Sequence, residues 1–333
     1  MEKLLLIDGN AILHRAFHAY PPIFSDKEGH PTNAIYGFYA MLLKVVEEVK
    51  PDLLTICFDQ GAPTFRMNLY TGYHANRPKM QDTLGEQVEP LRDSLKKIGI
   101  PLNAIDGYEA DDLLGTLSHQ AKEKGLETII LTGDRDLLQL VNGQVKVLMP
   151  ITGITKSVLM GAREVEEKYG VTPSQFIDYK ALVGDQSDGY PGVTGIGPKT
   201  AASLIQKYGS FENLYTHLGE LPAQTAEKLA KDAEQAALAK SLATIHLDAP
   251  VHLDINSSRV DGLEPEKFME VFYTFNIHSL AKRLSAAIGG EDGKNSDKKN
   301  IVQQIQKSKK HVWGKKKTSA KLLQEKNSQL ELL

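Results

Sequence analysis

Residues 107–125 read GYEADDLLGTLSHQAKEKG. Glu109, Asp111 and Asp112 stand at the head of a segment whose apolar residues Leu113, Leu114 and Leu117 recur at helical spacing, which predicts a helix start. Acidic side chains suit a first helical turn because they face the positive end of the macrodipole, so taken alone the cluster is an ordinary acid-rich N-terminus. Neighbouring carboxylates also repel, by about 4 kcal/mol per pair at roughly 4 Å and an effective dielectric near 20, unless a cation lies among them. Whether the cluster is structural or chemical turns on whether other acids converge on it.

Working outward, three runs rich in apolar and β-branched residues end in aspartate: LLLID (4–8), LLTICFD (53–59) and TIILTGDRD (128–136). Near-continuous apolar runs alternating with helical patterns predict strands of a parallel sheet buried on both faces. The carboxyl ends of such strands share one edge, and that edge carries the ligand crevice. Asp8, Asp59, Asp134 and Asp136 are therefore expected beside the Glu109 helix. Further helices are expected around Ile12, Leu13 and Phe17, over 34–49 and near 86–98, with a short apolar run at 145–149.

The chain has 333 residues, 41% of them hydrophobic, enough for two to three structural units with a substantial core. Its net charge of −3 is unevenly spread: residues 291–333 carry +6 and residues 1–290 carry −9. An acidic body argues against simple basic-patch binding of nucleic acid, although a collection of carboxylates masks local basic surface in the total. The one cysteine, Cys57, lies in a predicted strand and reads as packing in a reducing compartment. No apolar run approaches the roughly 18 residues of a membrane span and no basic-then-apolar leader is present, so a cytoplasmic location is expected.

Residues 61–85 interleave Arg66, His74, Arg77 and Lys79 with Phe65, Tyr70 and Tyr73, a mixture suited to single-stranded nucleic acid because cations meet phosphates while rings stack on bases. Further on, GDQSDG (184–189) adds Asp185 and Asp188 after a helix-like segment, 173–183. Then comes PGVTGIGPKTAA (191–202). Glycines 192, 195 and 197 do not make a dinucleotide fingerprint, and no strand or Walker lysine accompanies them. Helix, glycine hairpin, helix is the better reading, a module whose Gly192, Gly195, Gly197, Lys199 and Thr200 grip duplex backbone without reading bases.

Together these residues resemble a known family. LLLIDGN at the start, FD at 58–59, FR…LY…Y…NR over 65–77, GYEADDLLGTL, TGDRDLLQLV, YKALVGDxSD and PGVxGIGxKTA occur in order, over residues 1 to about 285, as in the 5′→3′ exonuclease domain of bacterial DNA polymerase I, a member of the flap endonuclease family. The resemblance implies an α/β fold with a Rossmann-like, PIN-like parallel sheet, a helical arch at about 61–90 that admits a 5′ strand, and a helix-hairpin-helix. It divides the chain into a catalytic core (1–170), a helical subdomain (171–288) and a basic tail (289–333). It implies two divalent ions, Mg2+ or Mn2+, which suit an all-oxygen site, and a K+ ion at the hairpin. Asp8, Asp59, Glu109 and Asp111 would serve mainly the first ion, Asp134, Asp136, Asp185 and Asp188 the second, with Asp112 bridging through water. Arg66, Arg77 and His74 would hold the scissile phosphate, with Tyr70 and Tyr73 stacking near the junction. The expected substrate is DNA with a 5′ flap, nick or gap, RNA-primed ends included, cut by a monomeric, nucleoid-associated enzyme.

The sequence departs from the family at His74, where lysine is usual, and at Gln186-Ser187-Asp188-Gly189-Tyr190, where Pro-Ser-Asp-Asn and an aliphatic residue are commoner. An unperturbed histidine is mostly uncharged near neutral pH, which weakens that cation. No polymerase follows residue 333, so a stand-alone nuclease is expected. Two rivals remain: a PIN-type RNase on the same topology, which has no use for the glycine hairpin, and a non-catalytic junction-binding protein, which has no use for the full acidic set. The tail is Lys-rich and reads as a solvated linker. It ends in Gln329-Leu330-Glu331-Leu332-Leu333, similar to a sliding-clamp-binding pentapeptide, and Gln329, Leu330, Leu332 and Leu333 are the expected contacts with a β clamp.

Overall fold

The computed structural model describes residues 1–75, 79–152 and 156–288. Arg77 and the clamp-binding residues Gln329, Leu330, Leu332 and Leu333 lie outside the described residues. Strands β1 (Lys3–Asp8), β2 (Leu53–Cys57), β3 (Leu102–Asn103), β4 (Glu127–Leu131), β5 (Val145–Thr152) and β6 (Lys156–Met160) form one six-stranded sheet in the order β3-β2-β1-β4-β5-β6. All neighbours are parallel except β5 and β6, which form an antiparallel hairpin that the pattern at 145–149 did not reveal.

Along the chain run α1 (Gly9–Ala19), α2 (Asn33–Val49), α3 (Phe65–Leu69), α4 (Asp82–Ile98), α5 (Ala110–Glu123), α6 (Ala162–Tyr169), α7 (Phe176–Val183), α8 (Pro198–Tyr208), α9 (Phe211–Thr216), α10 (Ala223–Lys231), α11 (Ala233–Ala243), α12 (Pro265–Thr274) and α13 (His278–Ile288). The period-2 alternation of β1 divides its side chains: Leu5 and Ile7 pack with α1, α2 and α4, while Leu4 and Leu6 pack with Leu113, Leu114 and Leu117 of α5. Both sets are fully buried, which is why β1 reads as an unbroken apolar run. Each such leucine contributes about 1.5–3 kcal/mol relative to exposure.

Packing cuts across the expected helical unit 171–288. Phe268, Val271 and Phe272 of α12 and Leu280 and Leu284 of α13 join the core on the α2–α4 face, away from the hairpin helices α7 and α8, whose Phe176, Leu182 and Ile205 join the α5 face. No helix among the described residues is long and apolar enough to cross a membrane.

Candidate active site

With β1 flanked by β2 on one side and β4 on the other, the strand order reverses between β1 and β4, and the crevice opens outside their carboxyl ends. Asp8 ends β1 and caps α1, accepting from the Ala11 amide at 2.9 Å and from Thr132 Oγ1 at 2.7 Å. Asp59, just past β2, accepts from Asn10 Nδ2 at 2.8 Å and from the amide of Ala110, first residue of α5, at 2.7 Å. Glu109 caps α5 and accepts from Thr64 Oγ1 at 2.7 Å and the Tyr73 hydroxyl at 3.0 Å. Burial pushes the Asp8 carboxyl up to about 7, opposed by the Ala11 amide and reinforced by the charges of Asp59 and Asp134. Asp111, in the first turn of α5, is held well above the carboxylate range by burial and then by Asp134, Asp8, Glu109 and Asp59. These acids therefore sense one another across three strand ends and one helix start.

Asp134 carries the cluster into a second group. It follows β4, accepts from the Asp136 amide at 2.8 Å, and is raised by burial despite that bond, with Asp188 the largest acidic contributor. Lys180, a buried lysine of α7, stands 2.7 Å from Asp136 and forms an ion pair with Asp185. Burial still lifts Asp136 to about 7 against the pull of Lys180. Asp185 goes the other way: burial acts to raise it, but the Lys180 ammonium and the Ser187 bonds outweigh burial and lower it. Its carboxylate accepts from the amides of Ser187 at 2.7 Å and Asp188 at 3.3 Å. Asp188 meets His74 twice: its carbonyl accepts from the His74 amide at 2.8 Å, and a carboxylate oxygen lies 3.3 Å from His74 Nε2. That amide bond holds His74 at φ +58°, a left-handed conformation uncommon outside glycine.

Two expected roles are corrected. Arg66 was expected to face the scissile phosphate and Asp112 to approach an ion through water. Instead, Arg66 is 2% exposed and Asp112 0% exposed, and the two form a bidentate pair at 2.8 Å and 2.8 Å. The remaining Arg66 donors go to the Leu242 and Thr244 carbonyls, both at 2.9 Å, and to Glu109 at 3.2 Å. Asp112 also accepts from the His246 and Glu109 amides, at 2.9 Å and 3.1 Å. A buried charge must be paired and hydrogen-bonded, and these two meet that demand from each other and from backbone, leaving neither for solvent or substrate. Tyr73 is likewise buried, stacked on His74 at 3.9 Å and bonded to Glu109, whereas Tyr70 is partly exposed.

The glycine hairpin follows a two-residue ribbon, β7 (Gly184–Asp185) and β8 (Tyr190–Pro191). Here Gly184 and Gly192 lie back to back: a Cβ on Gly184 would stand 2.2 Å from the Gly192 nitrogen, and one on Gly192 2.3 Å from the Leu182 carbonyl oxygen. Gly195, at φ +76°, makes the turn, and Gly197 caps α8. Val193 and Ile196 anchor the loop inward while Gly195, Gly197, Lys199 and Thr200 are exposed. In the turn where K+ was expected, the Lys228 ammonium lies 3.3 Å from the Gly195 carbonyl. A groove of about 860 Å³ runs from Asp134 and Asp185 to Gly192 and Gly197, joining the second acid group to the hairpin.

The donors at the strand ends are carboxylate oxygens, suited to hard divalent cations. Discounting Asp112, eight acids meet there against two buried cations, Arg66 and Lys180, and five of them, Asp8, Glu109, Asp111, Asp134 and Asp136, are raised chiefly by burial, so the arrangement fits added positive charge. The acids stand apart, as mutual repulsion dictates. Among the described residues, the one trio with ligand atoms all within 4.8 Å is Asp26, Glu28 and His30, on a separate loop where the Asp26 carboxylate is already bonded to the other two.

Residues 3–170 match the family model of the 5′-3′ exonuclease N-terminal resolvase-like domain, and residues 171–266 that of the 5′-3′ exonuclease C-terminal SAM fold. The chain is 42% identical over 284 residues to DNA polymerase I of Caldicellulosiruptor bescii, covering 85% of this chain and 33% of that protein. With DNA polymerase I of Bacillus subtilis the identity is 37% over 305 residues, covering 91% and 34%. The chain thus spans about a third of the length of these relatives. Its fold is similar to that of T5 5′-exonuclease with bound zinc ions (TM-score 0.58, 21% identity, 91% of this chain and 100% of that one). It is also similar to the catalytic core of Rad2 in complex with DNA substrate (TM-score 0.56, 17% identity, 85% and 91%).

Proposed function

The chain belongs to the 5′-3′ exonuclease family, and on that premise we propose that it hydrolyses DNA phosphodiester bonds at 5′ ends and flaps with the help of two divalent cations. One observation carries the reading: acids from three strand ends, one helix start and the Asp185–Asp188 loop meet outside the β1–β4 edge, with Asp134 influencing both sets. Asp8, Asp59, Glu109 and Asp111 would hold one cation, and Asp134, Asp136, Asp185 and Asp188 the other. When bound, such cations would stabilise the negative charge that develops on the phosphoryl and leaving oxygens and would make water more acidic.

The chain's own residues set the frame. Backbone amides and the Thr132, Thr64 and Tyr73 hydroxyls fix Asp8, Asp59 and Glu109 before substrate arrives, so little reorganisation of these three is left for the reaction. His74, which faces Asp188, and Arg77 are the candidate phosphate contacts, with Arg66 withdrawn from that role. The exposed hairpin would grip duplex at the far end of the groove, placing a 5′ junction over the acids. A nicked, gapped or RNA-primed substrate in a bacterial cytoplasm fits the same path, and docking of 329–333 on a sliding clamp would raise the local concentration of the enzyme there.

Cleavage of 5′-labelled flap, gapped and single-stranded DNA, with and without Mg2+, tests this reading. Flap and gap cleavage that depends on Mg2+ is expected. Turnover in excess chelator, or a preference for blunt RNA over flapped DNA, would overturn it.

A further inference from the structure

Tyr190 takes no part in the frame just described, yet it stands inside it. In the β7–β8 ribbon it is the cross-strand partner of Asp185. Its ring lies 5.8 Å from the Lys180 ammonium and nearly parallel to the Tyr73 ring, at 6.5 Å and 17°. The residue is 2% exposed, and its hydroxyl is buried without a hydrogen-bond partner. Leaving a buried hydroxyl unbonded costs about 1–3 kcal/mol, a penalty that phenylalanine in the same place would not carry.

Acceptors surround that hydroxyl. Asp185 lies across the ribbon from it, and the Lys180 ammonium beside its ring stands 2.7 Å from Asp136 Oδ1, while a phenol hydroxyl is a donor near neutral pH. Asp136 and Asp185, however, are turned to the Lys180 ammonium. A divalent cation taken up by the group would assume the neutralising role of that ammonium and leave a carboxylate oxygen in need of a donor, and carboxylates that ligate cations are held in place by such outer hydrogen bonds.

We propose that Tyr190 is a positioning residue of the second acid group, its hydroxyl donating to a carboxylate oxygen of Asp136 once that group takes up a divalent cation. The proposal rests on the two-cation reading above. The hydroxyl is therefore a cost in the cation-free protein and a contact in the loaded one, so removing it acts in opposite directions on the two states.

The test uses full-length protein stripped of metal, titrated calorimetrically with Mn2+, with thermal melts of the metal-free form alongside. Tyr190→Phe keeps the ring and its stack. It is expected to leave the metal-free Tm unchanged or raised while weakening Mn2+ binding about tenfold. Tyr169 supplies the control: its hydroxyl is also buried without a partner, but no acid is among the charges acting on it, so Tyr169→Phe should leave Mn2+ binding unchanged. Equal Mn2+ affinity in Tyr190→Phe and wild type would overturn the proposal and leave the two-cation reading standing. A lowered metal-free Tm in Tyr190→Phe, or equal weakening in Tyr169→Phe, would also overturn it, since either would make the effect one of packing. Failure of wild type to bind Mn2+ would remove both readings.

Discussion

Asp8 and Asp59 are held by uncharged donors, namely the Ala11 and Ala110 amides, Asn10 and Thr132, and Glu109 takes Thr64 and Tyr73 beside a 3.2 Å contact with an Arg66 already committed to Asp112, whereas Asp136 and Asp185 share the Lys180 ammonium. Uncharged donors fix a carboxylate's direction and leave most of its charge uncancelled; an ammonium cancels charge and competes with any arriving cation. The first group is thus built to receive a cation without rearrangement, and the second to exchange one cation for another. Asp134, whose charge acts on Asp8 and Asp111 and which is itself raised by Asp188, couples the two.

The sharpest way to break this comparison is at the coupling residue. Asp134→Asn should lower flap cleavage more than a thousandfold while junction affinity, read by fluorescence anisotropy, changes little; surviving Mg2+-dependent turnover would dissolve the two-group scheme. Next in size is a pair of cation deletions. Arg66→Met leaves Asp112 buried without its partner and should cost about 3–5 kcal/mol in urea melts, a loss that Mn2+ does not repair, because Asp112 is closed off from the crevice. Lys180→Met should cost less, about 1–3 kcal/mol, because Asp136 can take up a proton instead, and saturating Mn2+ should restore most of it.

A smaller effect separates the groups from solvent. A carboxyl raised from 3.8 to about 7 in the fold, as Asp8 and Asp136 are, binds its proton more tightly folded than unfolded. Its stabilising contribution is full below about pH 4 and is lost as pH rises through about 7. The Tm of metal-free protein should therefore fall between about pH 5 and about pH 7.5, and Mn2+ added at the upper end should reverse the fall; a Tm that rises over that window would show these acids ionised throughout. Smallest is Lys199→Ala on the exposed start of α8. It should weaken duplex binding about equally for all sequences and reduce the salt slope by about one, leaving both acid groups untouched.

Much of this site was legible in the sequence because strand ends and helix starts place side chains by backbone geometry alone. An aspartate that ends an apolar run must lie at the sheet edge, and a capping Glu109 must face the head of its helix. What escaped was the pairing of charges. Arg66 and Asp112 carry no mark of burial in sequence, since a buried arginine looks like an exposed one until its acceptors, among them the carbonyls of Leu242 and Thr244 some 176 and 178 positions away, are brought to it. Lys180 did leave a signal, a charge set directly before apolar Ala181, Leu182 and Val183 and two residues after Asp178 in a short helix rich in apolar residues. The β5–β6 hairpin was missed because three of the five β6 residues are exposed and no apolar alternation announces it.

The back-to-back glycines of the ribbon bear on how this region tolerates change. With backbone against backbone at Gly184 and Gly192, no side chain can be added at either end without separating them, and the segment between is closed off as a loop of its own. Gln186, exposed at the tip, can then vary in identity without moving the hairpin or the strand ends, because the pinch, rather than the loop, sets the spacing between them. Gly189 is the exception, since a Cβ there would meet the Gly72 carbonyl at 2.8 Å and push on the base of the arch. Substitutions at the tip of this loop should be tolerated where those at its clasp are not.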